Sequence, residues 1–320
     1  MKIVLLFDDV AARPDATADE RAVLEAVGAV EAALAALGHE PLRLAVDHPR
    51  GRWIDRLRAA GAGVAFNLCE GAGGSSAYEP HVAALVELIG LRLTGSPADS
   101  LSFARRKDRV NALLGAAGLP VAPWMLAPDG IVPRDWTDYP AIVKPAAEDA
   151  SVGITQRSIA RDAADLARAL RDASAHSPLI VQRFLGGREL NVGILGDEVL
   201  PISEIDFGTM PASRWRLVTY SAKWDADSAE DRGTQPRCPA PVDDAIAQRA
   251  RCLALDAWRQ IEGRGYGRVD LRADEADHLF ILDVNPNPDL APGAGFARMA
   301  AAAGYDYVEL IDRIVRGATQ

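Results

Sequence analysis

The chain has 320 residues, of which 49% are hydrophobic and 25% are charged, an ordinary soluble composition long enough for two or three domains. Its formal net charge of −10 argues against a nucleic-acid or anionic-membrane partner. No stretch approaches the roughly 20 apolar residues of a membrane span, and the N-terminal apolar run is too short for a signal peptide, so we expect a cytoplasmic protein.

The first 95 residues alternate strand and helix signals, which is typical of a parallel α/β domain. Short apolar runs predict strands at 3–7, 42–46, 64–68 and 91–94. Apolar residues at helical spacing predict helices at 19–37, 54–60 and 79–89. This part of the chain is predicted to form an N-terminal domain, 1–95.

A second unit, 96–184, begins with a basic helix that starts near Ser100 and carries Lys107. The pattern then predicts strands at 141–144 and 179–182, a loop of small residues at 149–153, and a helix at 162–173. Asp162 is the residue type that commonly caps such a helix.

In the third unit, 185–320, the pattern changes to antiparallel strands. Segments 189–195 and 198–202 flank Gly196 and Asp197, which favour a tight hairpin turn. A polar stretch at 225–241 without periodicity predicts a mobile loop. A long helix at 242–261, a hairpin of 266–272 with 279–285, and a helix at 307–315 complete the predicted elements.

The second hairpin carries acidic residues on one face. Alternation along the strands places Asp270 on one strand, and Asp283 and Asn285 on the other, within reach of one another. Two carboxylates and an amide without His or Cys favour Mg²⁺ over Zn²⁺ or Cu²⁺. The interleaved apolar residues, Leu282 among them, predict that the opposite face is buried. A solvated charged face would give the same alternation, so both interpretations stay open here.

Lys144 ends an apolar strand just before the loop of small residues. Such a loop brings backbone N–H groups close to phosphate oxygens, and a nearby lysine supplies charge. The signal is weak by itself, because a lysine at a strand end is usually solvated. No GxxxxGK[ST] segment occurs, and no GxGxxG segment links a strand to a helix. The two commonest nucleotide-binding loops are thereby excluded.

Taken in order, these segments resemble the ATP-grasp superfamily, and most of all its D-alanine–D-alanine ligase branch. The resemblance runs from about residue 64 to the C-terminus. Its motifs are FNLCEG at 66–71, LTGS at 93–96, Lys107, GLPVAP at 118–123, VKP at 143–145, Glu148 with SVG at 151–153, GRELNV at 187–192, Lys223, GRVD at 267–270 and LDVNP at 282–286. Each motif is weak alone, but their order and spacing are specific.

The resemblance implies an ATP-grasp fold of mixed α/β class, with ATP held between two lobes. It assigns the phosphates to Lys107, Lys144 and Lys223, beside the loop residues Glu148 and Ser151. It assigns the adenine to Gln182, Arg183 and Leu185, and the ribose to Glu189. Asp270, Asp283 and Asn285 would hold two Mg²⁺ ions, with Mn²⁺ as a second option.

The implied reaction joins a carboxylate to an amine through an acyl-phosphate. Arg268 and Lys223 would stabilise the charge that develops during it, under a lid formed by 203–223 and the polar stretch that follows. Asp283 stands where the family more often has Glu, and its shorter side chain implies a small shift of the ion. The family also implies amino-acid-like substrates and a homodimer.

On the substrate side the chain departs from the family. Ala150 stands in place of a serine, Trp224 in place of a tyrosine after the lid lysine, and Asp289 in place of a glycine. Glu20 and Glu70 are candidates for binding substrate, although Glu20 fits equally well as a solvated carboxylate in the first turn of a helix.

Three hypotheses follow from the sequence. We expect a ligase whose preferred substrates are not two D-alanines, because lost hydroxyl partners change the polar complementarity that selects a substrate. The first alternative is a strict D-alanine–D-alanine ligase of cell-wall synthesis. The second is an ATP-binding regulatory protein without catalysis, which the retained lysines, arginine and acidic residues disfavour.

Overall fold

Three β-sheets organise the computed structural model of the chain, which describes residues 1–47, 51–176 and 178–319. Their strands fall between residues 2 and 93, 124 and 183, and 189 and 285. Each predicted domain therefore contains one sheet, while the boundaries between the domains stay a prediction. Residue 320, the last of the predicted third domain, lies outside the described residues.

The first sheet is parallel, with its strands in the order β2-β1-β3-β4. Its elements are β1 (Lys2–Asp8), α1 (Ala18–Ala36), β2 (Glu40–Val46), α2 (Trp53–Ala59), β3 (Val64–Asn67), α3 (Glu79–Leu88) and β4 (Arg92–Leu93). Alternate residues of β1 enter two different hydrophobic cores, one on each face of the sheet. A strand covered on both faces reads as a continuous apolar run, which is how the sequence predicted it.

The second sheet is antiparallel, in the order β5-β8-β6-β7. This unit contains α4 (Ala98–Ala104), α5 (Lys107–Ala116), β5 (Trp124–Ala127), β6 (Ala141–Pro145), β7 (Ile159–Ala160), α6 (Ala163–Asp172) and β8 (Leu179–Arg183). The side chain of Asp162 accepts a hydrogen bond of 2.9 Å from the amide of Asp165 at the start of α6. The predicted helix cap is confirmed.

The single basic helix predicted from Ser100 onward is wrong, because the chain breaks it into α4 and α5. Arg106, between the two, has an extended backbone with φ −104° and ψ 91°. The amide of Lys107 donates to the carbonyl of Ala146 at 2.9 Å, just after β6. This long-range bond holds the start of α5, and with it Lys107, beside the end of β6 in the second sheet.

The third sheet has six antiparallel strands in the order β12-β11-β9-β13-β14, with β10 paired to β9. Its unit contains β9 (Glu189–Leu195), β10 (Glu198–Val199), β11 (Ser203–Asp206), α7 (Tyr220–Trp224), α8 (Ala229–Arg232), β12 (Gln235–Arg237), α9 (Asp244–Gln260), β13 (Tyr266–Ala273), β14 (Leu279–Asn285), α10 (Gly295–Ala302) and α11 (Tyr307–Thr319). The prediction that 225–241 forms a loop without regular structure was wrong, since α8 and the edge strand β12 lie within this segment. Helix α10 was not predicted.

The end of the chain returns to the first sheet. Leu310 and Ile314 of α11 share a hydrophobic core with Ile3 of β1 and Val30 of α1. Short 3₁₀ turns cover Val10–Ala12, Ser76–Tyr78, Gln156–Ser158 and Ser174–His176. Across the three described ranges, no helix combines the length and the apolar character needed to cross a bilayer.

Candidate active site

A cavity of about 1200 Å³ opens between the units and receives residues from all three. Every site residue predicted from the sequence lines it. These are Glu20, Glu70, Lys107, Lys144, Glu148, Ser151, Gln182, Arg183, Leu185, Glu189, Lys223, Trp224, Arg268, Asp270, Asp283, Asn285 and Asp289. The structure therefore brings the predicted set together, while the role of each residue stays a prediction.

The acidic hairpin of β13 and β14 forms the floor of this cavity. Asp270 pairs directly with Asp283, and Arg268 with Asn285, in antiparallel register. Between Asp270 and the next pair the register shifts, which makes Leu282 the additional residue of a β-bulge. The prediction that Leu282 faces the core was wrong, because the bulge turns it toward the cavity.

The two carboxylates of the hairpin sit in different electrostatic surroundings. Asp270 receives hydrogen bonds from Arg268 at 2.7 and 2.8 Å and from Asn191 of β9 at 2.8 Å. Although burial opposes its charge, these bonds hold the pKa of Asp270 below its usual value. Asp283 lies 3.5 Å from the ammonium of Lys107. Burial outweighs the attraction of Lys107, and the nearby Asp149 adds repulsion, so the pKa of Asp283 is raised.

The donor set fits a hard divalent cation that is completed by ligands from outside the protein. Asp270, Asp283 and Asn285 offer carboxylate and amide oxygens on one side of the hairpin. Both carboxylates already attract cationic side chains, so their position suits positive charge. Within the described ranges, no group of three or more His, Cys, Asp and Glu residues is placed to hold a metal. The remaining ligands would come from phosphate oxygens or water.

Two buried lysines face the hairpin. Lys144, 5% exposed at the end of β6, has its pKa lowered to about 8 by burial. Lys107 donates to Asp149 in the loop of small residues, with 2.6 Å between Nζ and Oδ1. Burial opposes the charge of Lys107, but Asp149 and Asp283 outweigh it and raise its pKa. Both lysines thus offer positive charge beside the predicted metal ligands.

The loop of small residues is bonded to the segment that precedes and includes α7. Ala150 and Ser151 both have left-handed backbones, with φ of 52° and 62°, a conformation that costs non-glycine residues about 1 kcal/mol or more. The hydroxyl of Ser151 donates to the carbonyl of Val218 at 3.0 Å, and the indole of Trp224 donates to the carbonyl of Ala150 at 3.3 Å. The predicted lid therefore contacts the loop through these two hydrogen bonds.

The region predicted to hold the adenine and ribose contains an unused donor. Gln182 of β8 is 1% exposed, and its Nε2 has no hydrogen-bond partner among the described residues. A buried amide donor beside a cavity commonly finds its acceptor in a ligand. Glu189 accepts from Arg272, which also donates to the carbonyl of Leu185 at 2.9 Å. Arg272 and Asn191 also line the cavity but were not predicted as site residues. Asn191 lies two residues after Glu189, and Arg272 two residues after Asp270, so side-chain alternation along the strands would have placed both on the cavity face.

Several further carboxylates line the cavity close to one another. Burial and the charge of neighbouring acids raise the pKa of Glu70 to about 8. The side chain of Glu70 is exposed to the cavity, while protein atoms surround it on the other sides. These atoms weaken the hydration of its carboxylate. Burial also raises the pKa of Asp8 to about 6 and that of Glu79 to about 8. The side chain of Asn287, which the sequence reasoning did not assign, donates to Glu79 at 3.0 Å.

Glu20 also lines the cavity, but its carboxylate is already engaged. Its oxygens accept from the amide of Thr17 at 2.8 Å and contact Arg13 at 2.5 Å. Although burial opposes its charge, the bonds from Arg13 and Thr17 lower the pKa of Glu20. Thr17 and Glu20 together form a capping box at the start of α1. Glu20 is therefore a carboxylate in the first turn of α1, as the alternative interpretation has it, but Arg13 and Thr17 engage it in place of solvent; its role in binding substrate stays a prediction.

Comparison with known proteins agrees with this geometry. Residues 113–316 match the family model described as "D-ala D-ala ligase C-terminus". The D-alanine–D-alanine ligase of Gluconobacter oxydans is 32% identical over 308 residues, which cover 94% of this chain and 96% of that protein. A D-alanine–D-alanine ligase from Sphingopyxis alaskensis is 32% identical over 295 residues, 89% of each chain.

The chain belongs to the D-alanine–D-alanine ligase family. It is an ATP-dependent ligase that forms a peptide bond, and the predictions of enzyme class and family are confirmed. The crystal structure of D-alanine–D-alanine ligase from Bacillus anthracis complexed with ATP superposes with a TM-score of 0.76 at 17% identity, covering 100% of this chain and 97% of that one. This likeness confirms the predicted ATP-grasp fold. The homodimer that the family implies stays a prediction.

Proposed function

We propose that this member of the D-alanine–D-alanine ligase family activates a substrate carboxylate with ATP and Mg²⁺, joins it to an amine, and prefers a pair other than two D-alanines. The observation that carries the proposal is the pairing of Asp270 with Asp283 in a cavity that Lys107, Lys144 and Lys223 also line. Oxygen ligands and ammonium groups around one space suit a triphosphate with its metal ions.

The chemistry explains why so many charged groups are needed. A carboxylate is a poor electrophile, because its charge and resonance repel an attacking amine. Transfer of the terminal phosphoryl group of ATP to a carboxylate oxygen gives ADP and an acyl-phosphate. The amine then attacks the carbonyl carbon, and the C–O bond to phosphate breaks. Divalent ions, when bound, neutralise charge on the phosphoryl group during the first step.

The residues of the cavity divide these tasks. Lys107 and Lys144 contact the phosphates of the nucleotide, and Lys223 reaches the transferred phosphate from the lid. Two hydrogen bonds to Asp270 hold the guanidinium of Arg268 in place. Its positive charge stabilises the negative oxygen of the tetrahedral intermediate. The lid excludes water, which would otherwise hydrolyse the acyl-phosphate.

The substrate end supports an amine-bearing substrate that differs from D-alanine. Asp8, Glu70, Glu79 and Asp289 line this end of the cavity and suit the ammonium groups of amino-acid substrates. The indole of Trp224 is larger than the tyrosine ring expected from the family. Its N–H donates to the carbonyl of Ala150, and it has no hydroxyl to offer a substrate. The polar contacts and the space around the first substrate are both changed, which alters selection.

A second candidate is the strict D-alanine–D-alanine ligase. The observation in its favour is that relatives with this name are 32% identical to the chain over as much as 94% of its length. In this case Ala150 and Trp224 would leave the binding of D-alanine intact.

An assay of ADP release separates the two candidates. The purified chain is incubated with ATP, Mg²⁺ and a panel of D- and L-amino acids, dipeptides and diamino acids, alone and in pairs, and the products are identified by mass spectrometry. Turnover that is faster with another pair than with D-alanine supports the proposal. Turnover that is fastest with D-alanine alone establishes the second candidate.

A further inference from the structure

The lid contains a buried carboxylate that does not touch the cavity. Glu230, in the first turn of α8, is 5% exposed and is absent from the cavity lining. A buried carboxylate is stable only when its oxygens are paired and hydrogen-bonded. Its partners therefore show which parts of the lid it holds together.

One partner caps the helix that carries Lys223. Helix α7 has five residues, and its N-cap is Thr219, 1% exposed. The hydroxyl oxygen of Thr219 accepts from the amide of Ala222 at 3.1 Å, while its proton is donated to Oε2 of Glu230. A helix this short has few bonds of its own, so its cap has a large share in fixing its direction.

The second oxygen of Glu230 joins an earlier part of the lid. Oε1 accepts from the guanidinium of Arg214, which precedes α7. The main-chain carbonyl of Glu230 accepts from the hydroxyl of Thr234 at 2.9 Å. Glu230 thus connects the approach to α7, the cap of α7 and the segment after α8.

On the inner side, α7 faces the loop of small residues. The amide of Tyr220 donates to the carbonyl of Ile154 at 3.0 Å, and Trp224 bonds to Ala150. Lys223, between them, lines the cavity, and its ammonium donates no hydrogen bond within the described part of the chain. Asp270, Glu189 and Asp283 attract its ammonium, but no hydrogen bond fixes it, so the place of Lys223 depends on how α7 is oriented.

We infer that Glu230 is a positioning residue: through Thr219 it fixes the orientation of α7 and so holds Lys223 in the cavity. Glu230 acts from outside the cavity and contacts neither nucleotide nor substrate. The catalytic consequence rests on the proposed function, because it takes Lys223 to act on the transferred phosphate. The orientation of α7 does not depend on that function.

A double-mutant cycle tests the inference. Glu230→Ala and Thr219→Val are each made in the wild-type chain and in the Lys223→Ala variant, and kcat and the KM for ATP are measured by ADP release. We expect each change to lower kcat roughly tenfold to a hundredfold, as displacement of a catalytic group by about 1 Å does, with a change in KM below about threefold. In the Lys223→Ala background neither change should lower kcat further.

Two variants serve as rescue and control. Glu230→Gln keeps an oxygen that can accept the hydrogen bond from the hydroxyl of Thr219, so its kcat should stay within about threefold of the wild type. Glu309→Ala removes a carboxylate that accepts from Arg313 at 3.0 Å on the surface of α11, and kcat should not change. The inference is overturned if kcat of the double variants falls by the product of the two single losses. It is also overturned if kcat of Glu230→Ala stays within about twofold of the wild type.

A second measurement keeps the test independent of turnover and of the folding of one variant. The rate at which an amine-specific reagent labels Lys223 is followed by mass spectrometry, with and without ATP and Mg²⁺. We expect ATP to protect Lys223 in the wild type and to protect it less in Glu230→Ala and Thr219→Val. Equal protection in all three overturns the inference. A wild type that releases no ADP with any substrate overturns the proposed function alone.

Discussion

Asp149→Asn tests whether Lys107 is held ready for a phosphate group. In the structure the carboxylate of Asp149 lies 2.6 Å from the ammonium of Lys107, where a phosphate oxygen of the proposed nucleotide would bind. Nucleotide binding then has to break this ion pair. Asparagine keeps the size of the side chain and removes its charge, so we expect tighter binding of ATP.

The magnitude follows from the exposure of the pair. The side chain of Asp149 is 51% exposed and that of Lys107 is 10% exposed. Solvent screening limits such a half-exposed pair to about 1 kcal/mol or less. Removing the repulsion between Asp149 and a phosphate about 6 Å away adds about 0.7 kcal/mol per unit charge in water. Together they predict a dissociation constant for ATP that is roughly threefold to sixteenfold lower.

Isothermal titration calorimetry with a non-hydrolysable ATP analogue and Mg²⁺ measures the effect. The gain should shrink at high salt, because screening weakens exposed charges. Asp172→Asn is the matched control: Asp172 forms an exposed ion pair of 2.8 Å with Arg157 away from the cavity, and its replacement should leave binding unchanged. Equal or weaker binding by Asp149→Asn refutes the reasoning. Weakening seen only with Mg²⁺ would make Asp149 a metal ligand.

Three further changes examine the site and the fold beneath it. The pKa of Lys144 is lowered to about 8, so calorimetry should show ATP affinity falling as the pH rises through 8, where the ammonium loses its proton, and Lys144→Ala should remove this dependence. Asp283→Ala should abolish ADP release by removing an oxygen ligand of Mg²⁺. Gly267→Ala would place a methyl group 2.3 Å from the buried ring of Trp258, so thermal unfolding should show a loss of about 1–3 kcal/mol.

Each of these expectations has a clear contrary result. ATP affinity that is level across pH 8 in the wild type would mean that Lys144 does not contact the phosphates. Full activity of Asp283→Ala at ordinary Mg²⁺ would count against the metal assignment. For Gly267→Ala the control is Gly317→Ala in α11, where the added methyl group meets nothing within 4 Å. A melting temperature equal to that of the control would contradict the predicted clash.

Local features of the fold were readable from the sequence because neighbouring residues determine them. The alternation of side chains and the turn after Ala273 bring Asp270 and Asp283 within reach of each other on neighbouring strands. The cap at Asp162 depends on residues within one helical turn. The motif order led to the family, which placed Lys107 and Lys144 in one cavity before any distance was known.

Other features depend on residues far apart in the sequence, and the sequence pattern misjudged them. The break before Lys107 coincides with a bond from its amide to the carbonyl of Ala146, 39 residues further along the chain, while local helix propensity favours one continuous helix. The bulge at Leu282 changes which side chain faces the core, and simple alternation does not signal it. The segment at 225–241 has little periodicity of its own, and the buried side chain of Glu230 within it bonds to Thr219 and Arg214 from an earlier part of the chain.

The sequence by itself determined the family, the main elements and the identity of the charged groups, because these follow from periodicity, capping and motif spacing. The tertiary structure alone decided which charged and polar groups are paired. Asp149 with Lys107, Arg272 with Glu189, and Asn287 with Glu79 are each brought together from distant positions. Electrostatic energy depends on distance and burial, and both are properties of the packed chain.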